Sequence, residues 1–243
     1  MKTDQSILDA ELVDRAKAAI ASIRGRGPSD GEHAGALATL DALVLAASAQ
    51  IHTELRLRRH YEVLGRLARH ESLSNGDLVG ALAAITEAAC HELGVARSSV
   101  WTYGPERSNI RCVDIFIAAE RSHDRGVELP AATYPAYFAA LAEEQMISAH
   151  DAHRDARTKE FSEGYLRPLG IESMLDAPIR VGGRMIGVLC NEHTGKARTW
   201  SADEEQFAAS LAALIALAFE SSQRRDVEAQ LRAMVDALES GDG

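Results

Sequence analysis

The side chains able to do chemistry in this 243-residue chain are few and scattered. Three cysteines, Cys90, Cys112 and Cys190, could supply a thiolate nucleophile or a redox pair. They lie far apart, with no CxxC pair and no Cys/His pairing at zinc-ligand spacing, so neither a disulfide framework nor a structural zinc site is expected. Cys90 shares the apolar face of a predicted helix with Ile85 and Leu93, and Cys190 follows Val188 and Leu189 in a predicted strand. Both positions read as packing, the common fate of a buried thiol. His150, His153 and His193 with Asp151 and Glu192 offer imidazole and carboxylate, a transition-metal donor set, but not at the spacing of a ligand motif. His150 and Asp151 follow a strand into a loop, where such residues more often fix backbone groups. His70-Glu71 ends a long predicted helix without any glycine-rich phosphate cradle to accompany a phosphoacceptor, and neither GxSxG nor HExxH occurs. No catalytic constellation emerges, and no metal centre is expected.

The pattern points instead to a small-ligand pocket, with apolar walls and a few convergent polar groups. Alternation from Ser173 to Ile179 puts Met174 and Asp176 on one strand face and Leu175 and Ala177 on the other. An aspartate on a covered face needs a partner, either a ligand amine or hydroxyl or a loop N–H, and both readings stay open. Tyr134, Tyr137 and Phe138 fall at helical spacing, and Phe161 with Tyr165 repeats the i, i+4 relation. Their default role is packing, while a ligand-facing hydroxyl would make a tyrosine functional. Trp101, Cys112, Phe116, Cys190 and Glu192 complete the candidate pocket because they lie on predicted strands.

Positioning these residues requires a fold, and composition bounds it. Lys plus Arg number 26 against 36 Asp plus Glu, a net charge of −10, which argues against nucleic acid as a partner. Apolar residues make up 46% and aromatics 5%, which suggests much helix around one modest mixed core. Met1 to Asp14 alternates charged and apolar residues without a signal-peptide core. The longest apolar stretch, Leu211 to Phe219, is well short of the ~20 residues that span a bilayer. A soluble, cytoplasmic chain with no membrane partner is expected.

Ile7, Leu8, Leu12, Ala16, Ala19 and Ile23 form one helical face, ended by Gly25, Gly27 and Pro28 in a hinge from Arg24 to Gly31. A second periodic run, Gly35 to His70, would reach roughly 50 Å as a helix, which predicts packing on another helix. Asp77 is placed to cap a helix carrying Leu78, Leu82, Ile85, Ala89 and Leu93. Short β-type runs follow at Ser98–Tyr103 and Asn109–Ile117, which read as a hairpin. Thr133–Glu144 reads as a helix, Met146–Ala149 as a strand and Thr158–Leu166 as a helix. Ser173–Val181 and Arg184–Glu192 flank Gly182-Gly183, a tight hairpin turn. Ser201 and Glu204 have capping-box spacing and open a last helix, whose Val227, Leu231, Met234 and Leu238 repeat at coiled-coil steps.

Three stretches, taken together, resemble the carboxy-terminal half of a GAF domain. They are Leu169-Gly170-Ile171-Glu172-Ser173-Met174-Leu175-Asp176-Ala177-Pro178-Ile179, Gly187-Val188-Leu189-Cys190-Asn191-Glu192-His193, and Trp200-Ser201-Ala202-Asp203-Glu204-Glu205-Gln206-Phe207-Ala208. The set, with Asp155 to Phe161, is most similar to GAF modules of bacterial sensor histidine kinases and diguanylate cyclases, the settings of two-component and cyclic di-GMP signalling. The resemblance implies an α+β fold: a GAF-like antiparallel sheet of five or six strands with flanking helices, a ligand pocket on one face, and long N-terminal and C-terminal helices outside it. The expected division is a helical region over 1–71, the GAF domain over 72–220 and a helical extension over 221–243. Flanking helices of that family form parallel homodimers that pass a signal to an output domain. None is visible here, so a partner such as a kinase or cyclase, or a longer parent chain, is implied. The resemblance also raises a thiol enzyme of the free methionine sulfoxide reductase type, a ligand-free adaptor, and haem or bilin binding. The cysteine pattern departs from that reductase, and the aromatic and histidine context of a bilin-attachment cysteine is missing. No cofactor is therefore expected, and the ligand is unnamed.

Overall fold

The computed structural model describes residues 5–24 and 31–240. In chain order the elements are α1 (Gln5–Arg24), α2 (Gly31–Ala68), α3 (Glu71–Ser74), α4 (Leu78–Leu93), β1 (Arg97–Tyr103), β2 (Asn109–Ile117), β3 (Ser122–Asp124) and β4 (Glu128–Pro130). Then come α5 (Pro135–Glu143), β5 (Ile147–Ala149), α6 (Arg167–Leu169), β6 (Ile171–Val181), β7 (Arg184–Thr194) and α7 (Ala202–Ser240). The hinge glycines and proline between α1 and α2 lie outside the described residues, as does the chain after Ser240.

Two compact units divide the chain at Glu62 and Val63, inside α2. In the first, Lys17 of α1 donates to the Ser48 hydroxyl of α2 at 3.0 Å, and Ile20 is buried. Leu40, Leu43 and Leu45 remain exposed on α2.

The second unit is built on one antiparallel sheet, ordered β3-β2-β1-β7-β6-β5, with β4 also pairing to β2. Two short strands that the sequence pattern did not reveal, β3 and β4, bring the sheet to seven strands. Gly182 and Gly183 join β6 to β7 with φ of +54° and +77°, the left-handed pair that a two-residue hairpin turn demands. Asp77 caps α4 by accepting from the Gly80 N–H at 3.1 Å, satisfying one of the otherwise unpaired first-turn donors. The Glu204 carboxylate reaches back to the Ser201 N–H at 2.9 Å and so caps α7.

One sheet face packs under α4 and α7, where Leu82, Ile85, Leu93, Phe207, Leu211 and Ile215 meet Val100, Leu175, Ala177, Ile179 and Leu189. The buried polar groups on this side are matched. Ser98 donates to Asn191 Oδ1 at 2.9 Å, Asn191 donates to the Leu175 carbonyl at 3.0 Å, and Thr86 donates to Asp114 at 2.6 Å. The other face packs under α5 and the turns that follow β5. Gly187 of β7 lies opposite Thr102 of β1, where a Cβ would collide with the Trp101 carbonyl.

Beyond Ser222 the described residues of α7 are all exposed, including Val227, Leu231, Met234 and Leu238. No described helix is long and apolar enough to cross a membrane.

Candidate functional site

The face of the sheet away from α4 and α7 carries Trp101, Cys112, Met174 and Cys190. Strand alternation puts Met174 and Asp176 here and Leu175 and Ala177 among the helices, as the sequence pattern predicts. A lid closes over this face. Pro135 starts α5 without needing an N–H partner, and the helix brings in Tyr137 and Leu141. A 3₁₀ turn at Lys159–Phe161 and a wide π turn at Ser162–Leu166 bring in Phe161 and Tyr165, where the sequence spacing predicts a plain helix. Tyr134 stacks on Phe161 with ring centroids 4.0 Å apart, and Tyr137 meets the same ring edge-on at 4.8 Å.

Sheet and lid enclose a cavity of about 10 Å³, lined by Trp101, Ile110, Leu129, Tyr137, Phe161, Tyr165, Met174, Cys190 and Glu192. That space is barely enough for one water. The layer is almost dry yet strongly polar. The Tyr137 hydroxyl donates to Asp176 Oδ2 at 2.7 Å, with the Cys190 sulfur 3.6 Å from the same hydroxyl. Asp176 Oδ1 is buried without a hydrogen-bond partner. Two residues along β7, Tyr165 donates to Glu192 Oε1 at 2.8 Å. Arg97 Nε lies 3.2 Å from Glu192 Oε2, an ion pair at an angle outside the hydrogen-bonding range.

Burial sets the proton affinities. Loss of hydration pushes the Asp176 carboxyl up to about 7, opposed by the Tyr137 hydrogen bond and reinforced by the nearby Glu192 charge. Burial likewise raises Glu192, against the pull of Arg97 and Tyr165. The Cys190 thiol and the Tyr137 hydroxyl are raised well above their ordinary values, by burial first and the Asp176 charge second. Burial pushes Cys90 and Cys112 up to about 12. All three thiols are buried and free, so each is held in its unreactive protonated form.

The structure thus gathers Trp101, Cys112, Tyr134, Tyr137, Phe161, Tyr165, Met174, Asp176, Cys190 and Glu192 into one layer. Phe138 sits at its rim, its ring 6.1 Å from that of Tyr103. Phe116 is a correction. A bulge at Val113, where Val100 pairs with Asp114 but Trp101 pairs with Cys112, shifts the alternation of β2. Phe116 therefore faces the helical side, its ring 5.0 Å from His123. Sequence reasoning missed Arg97, which pairs directly with Glu192 across β1 and β7. A buried glutamate demands a cation, and that was the available signal. Ile110 and Leu129 were missed as well.

His150, His70 and Asp151 fix backbone groups, while the His153 ring lies 2.7 Å from the Ser162 hydroxyl. His150 Nδ1 accepts from the Trp200 N–H at 3.2 Å, Asp151 Oδ1 accepts from the His153 N–H at 3.2 Å, and His70 caps α3. Among the described residues no group of three or more His, Cys, Asp or Glu is placed to hold a metal ion. A larger trough of about 910 Å³ runs between α4 and the β2–β3 end. Its histidine, His123, already bridges Asp114 at 3.0 Å and Glu87 at 3.1 Å.

A family model described as GAF domain matches residues 77–219. The chain belongs to the GAF domain family. Its GAF domain begins at the cap of α4 and ends within α7, so the long helices extend beyond the matched segment. Among solved structures, the phycocyanobilin-bound GAF domain of a cyanobacterial phytochrome is similar at 20% identity and a TM-score of 0.54, covering 67% of this chain and 94% of that one. The GAF domain of a phosphoenolpyruvate-protein phosphotransferase from Coxiella burnetii is similar at 16% identity and a TM-score of 0.55, covering 70% and 98%. These likenesses establish the fold. No curated protein matches the sequence significantly.

Proposed function

We propose that this GAF domain is the sensory module of a signalling protein, and that the layer between sheet and lid is its ligand pocket. The observation that carries this reading is the pair of buried carboxylates, Asp176 and Glu192, each with an oxygen lacking a hydrogen bond inside an otherwise apolar layer. Orphaned buried acceptors are costly, and native cores rarely keep them without a use. The cavity is too small for a ligand with the lid shut, so binding must displace it. The lid is suited to this, since it consists of one short helix and two irregular turns rather than a strand of the sheet.

Displacing the lid alters the packing on β6 and β7, whose opposite faces support α7. The exposed seam of α7, Val227 to Leu238, is the surface through which two copies pair in a homodimer, and ligand binding biases that pairing by its difference in affinity for the two states. Output then passes to a kinase or cyclase in the cytoplasm, in two-component or cyclic di-GMP signalling. The thiol-enzyme reading has little support, because the three thiols are buried and held protonated.

Intact mass spectrometry of the purified full chain tests the pocket. A mass excess seen under native conditions, lost on denaturation and absent from Met174→Trp, which fills the layer, supports it. Equal mass excess in that variant contradicts it.

A further inference from the structure

The charges in the layer are unbalanced. Arg97 is one guanidinium for two carboxylates, and it is paired with Glu192. Asp176, fully buried, accepts from the Tyr137 hydroxyl on Oδ2 and is approached by the Cys190 thiol, while Oδ1 has no hydrogen-bond partner. The other nearby cation, Arg157, is engaged elsewhere, by Asp155 and Glu144, each at 2.7 Å. Asp176 pairs with Cys190 and Met174 with Glu192 across β6 and β7, so the two carboxylates are diagonal neighbours on one face. Such positions lie about 7–8 Å apart, a span that one small donor group between the side chains can bridge.

Ionised carboxylates, the state of Asp176 above about pH 7, accept and do not donate, whereas a primary ammonium group offers three donors and no acceptor. The walls suit a cation as well. Trp101, Tyr137, Phe161 and Tyr165 line the layer, and aromatic faces attract an ammonium most strongly where water is excluded. Ile110, Leu129 and Met174 complete an apolar surface for the rest of such a molecule. An anionic ligand would meet Asp176 at close range in a dry site, and a neutral one would leave its charge uncompensated.

We propose that the layer takes a ligand carrying a primary ammonium group on a small apolar body, the ammonium donating to Asp176 Oδ1 and Glu192 Oε2. This rests on the reading of the layer as the ligand pocket. Its third N–H takes the place of the Tyr137 hydroxyl on Asp176 Oδ2, which releases α5 from β6 and opens the space that the closed layer lacks.

The test uses the full chain at about pH 8, where Asp176 is ionised and the amine still protonated, and three probes of one shape, 3-methylbutylammonium, 3-methylbutan-1-ol and 3-methylbutanoate, with binding followed by NMR titration. The ammonium should bind saturably, at least tenfold tighter than the alcohol, with no binding of the acid. Asp176→Asn should weaken the ammonium at least tenfold. Tyr137→Phe, which keeps the carboxylate and removes its competing donor, should bind the ammonium at least as tightly as the parent chain. An alcohol or acid that binds as well as the ammonium, or binding unchanged in Asp176→Asn, overturns the ammonium assignment and leaves the pocket standing. Failure of all three probes overturns the assignment too. If a co-purified mass is then equal in the parent chain and Met174→Trp, the pocket reading falls with it, and if it is lost in Met174→Trp the pocket stands.

Discussion

The Tyr137 hydroxyl, on the short lid helix α5, donates at 2.7 Å to Asp176 Oδ2 on the buried strand β6. This bond joins α5 to β6 at a carboxylate whose other oxygen lacks a hydrogen bond, so the tie and the site use the same group.

The first prediction concerns pH. Asp176 rises from the ordinary 3.8 to about 7 on folding, with Tyr137 from α5, Cys190 and Glu192 from β7, and Arg157 as the charged or titratable groups acting on it. Between these values the folded state holds a proton that the unfolded state has released. The stability from this group is therefore fully present below about pH 4 and is lost as pH rises to about 7. The difference amounts to about 4 kcal/mol at 1.36 kcal/mol per pH unit. Asp176→Asn should remove this slope, and above pH 7 it should be at least as stable as the parent chain. Urea titrations from pH 4 to 8 read this directly. A parallel pair of pH profiles would contradict it.

Removing Arg97 strands the buried Glu192 charge. Arg97→Met should cost about 3–5 kcal/mol, the usual penalty for breaking one side of a buried pair, while Arg97→Met with Glu192→Met should recover most of that loss. Denaturant melts of the two variants measure it. Equal losses in both would mean the pair is not coupled.

The three thiols should be inert in the folded state. With Cys90 and Cys112 at about 12 and Cys190 raised well above its ordinary value, alkylation at pH 8 should run roughly a thousandfold slower than for a free cysteine. All three should react at once on unfolding. Rapid labelling of native Cys190, followed by mass spectrometry, would revive the redox reading.

Pairing of α7 is a separate matter. If Leu231 and Leu238, both exposed in the chain, form a seam between two copies, light scattering at micromolar concentration should give twice the 26.2 kDa chain mass. Leu231→Asp with Leu238→Asp should give the monomer with the GAF domain intact. A parent chain that is already monomeric would contradict the dimer.

Local rules made much of the fold legible. The Gly182-Gly183 turn, the Asp77 cap, the Glu204 reach to Ser201 and the two-residue alternation at Met174 and Asp176 each depend on residues near one another in sequence. What was not legible depends on pairing between distant strands. The bulge at Val113 exists only against β1, and it alone turns Phe116 to the other face. Arg97 becomes part of the site only because β1 lies beside β7. The strands β3 and β4 are three residues each, too short for a period-two pattern to register. The lid turn at Ser162–Leu166 has helical spacing but takes a wider turn, which aligns Tyr165 with Glu192.

The central claim, that the layer between sheet and lid is a ligand pocket, is tested most directly by thermal unfolding of the parent chain and of Met174→Trp across a panel of small metabolites spanning amines, acids and neutral compounds. The account predicts that at least one compound, at a hundredfold excess over its dissociation constant, stabilises the parent chain by about 2.7 kcal/mol and leaves Met174→Trp unmoved. Stabilisation that is equal in the two proteins, or absent across the panel, would contradict it.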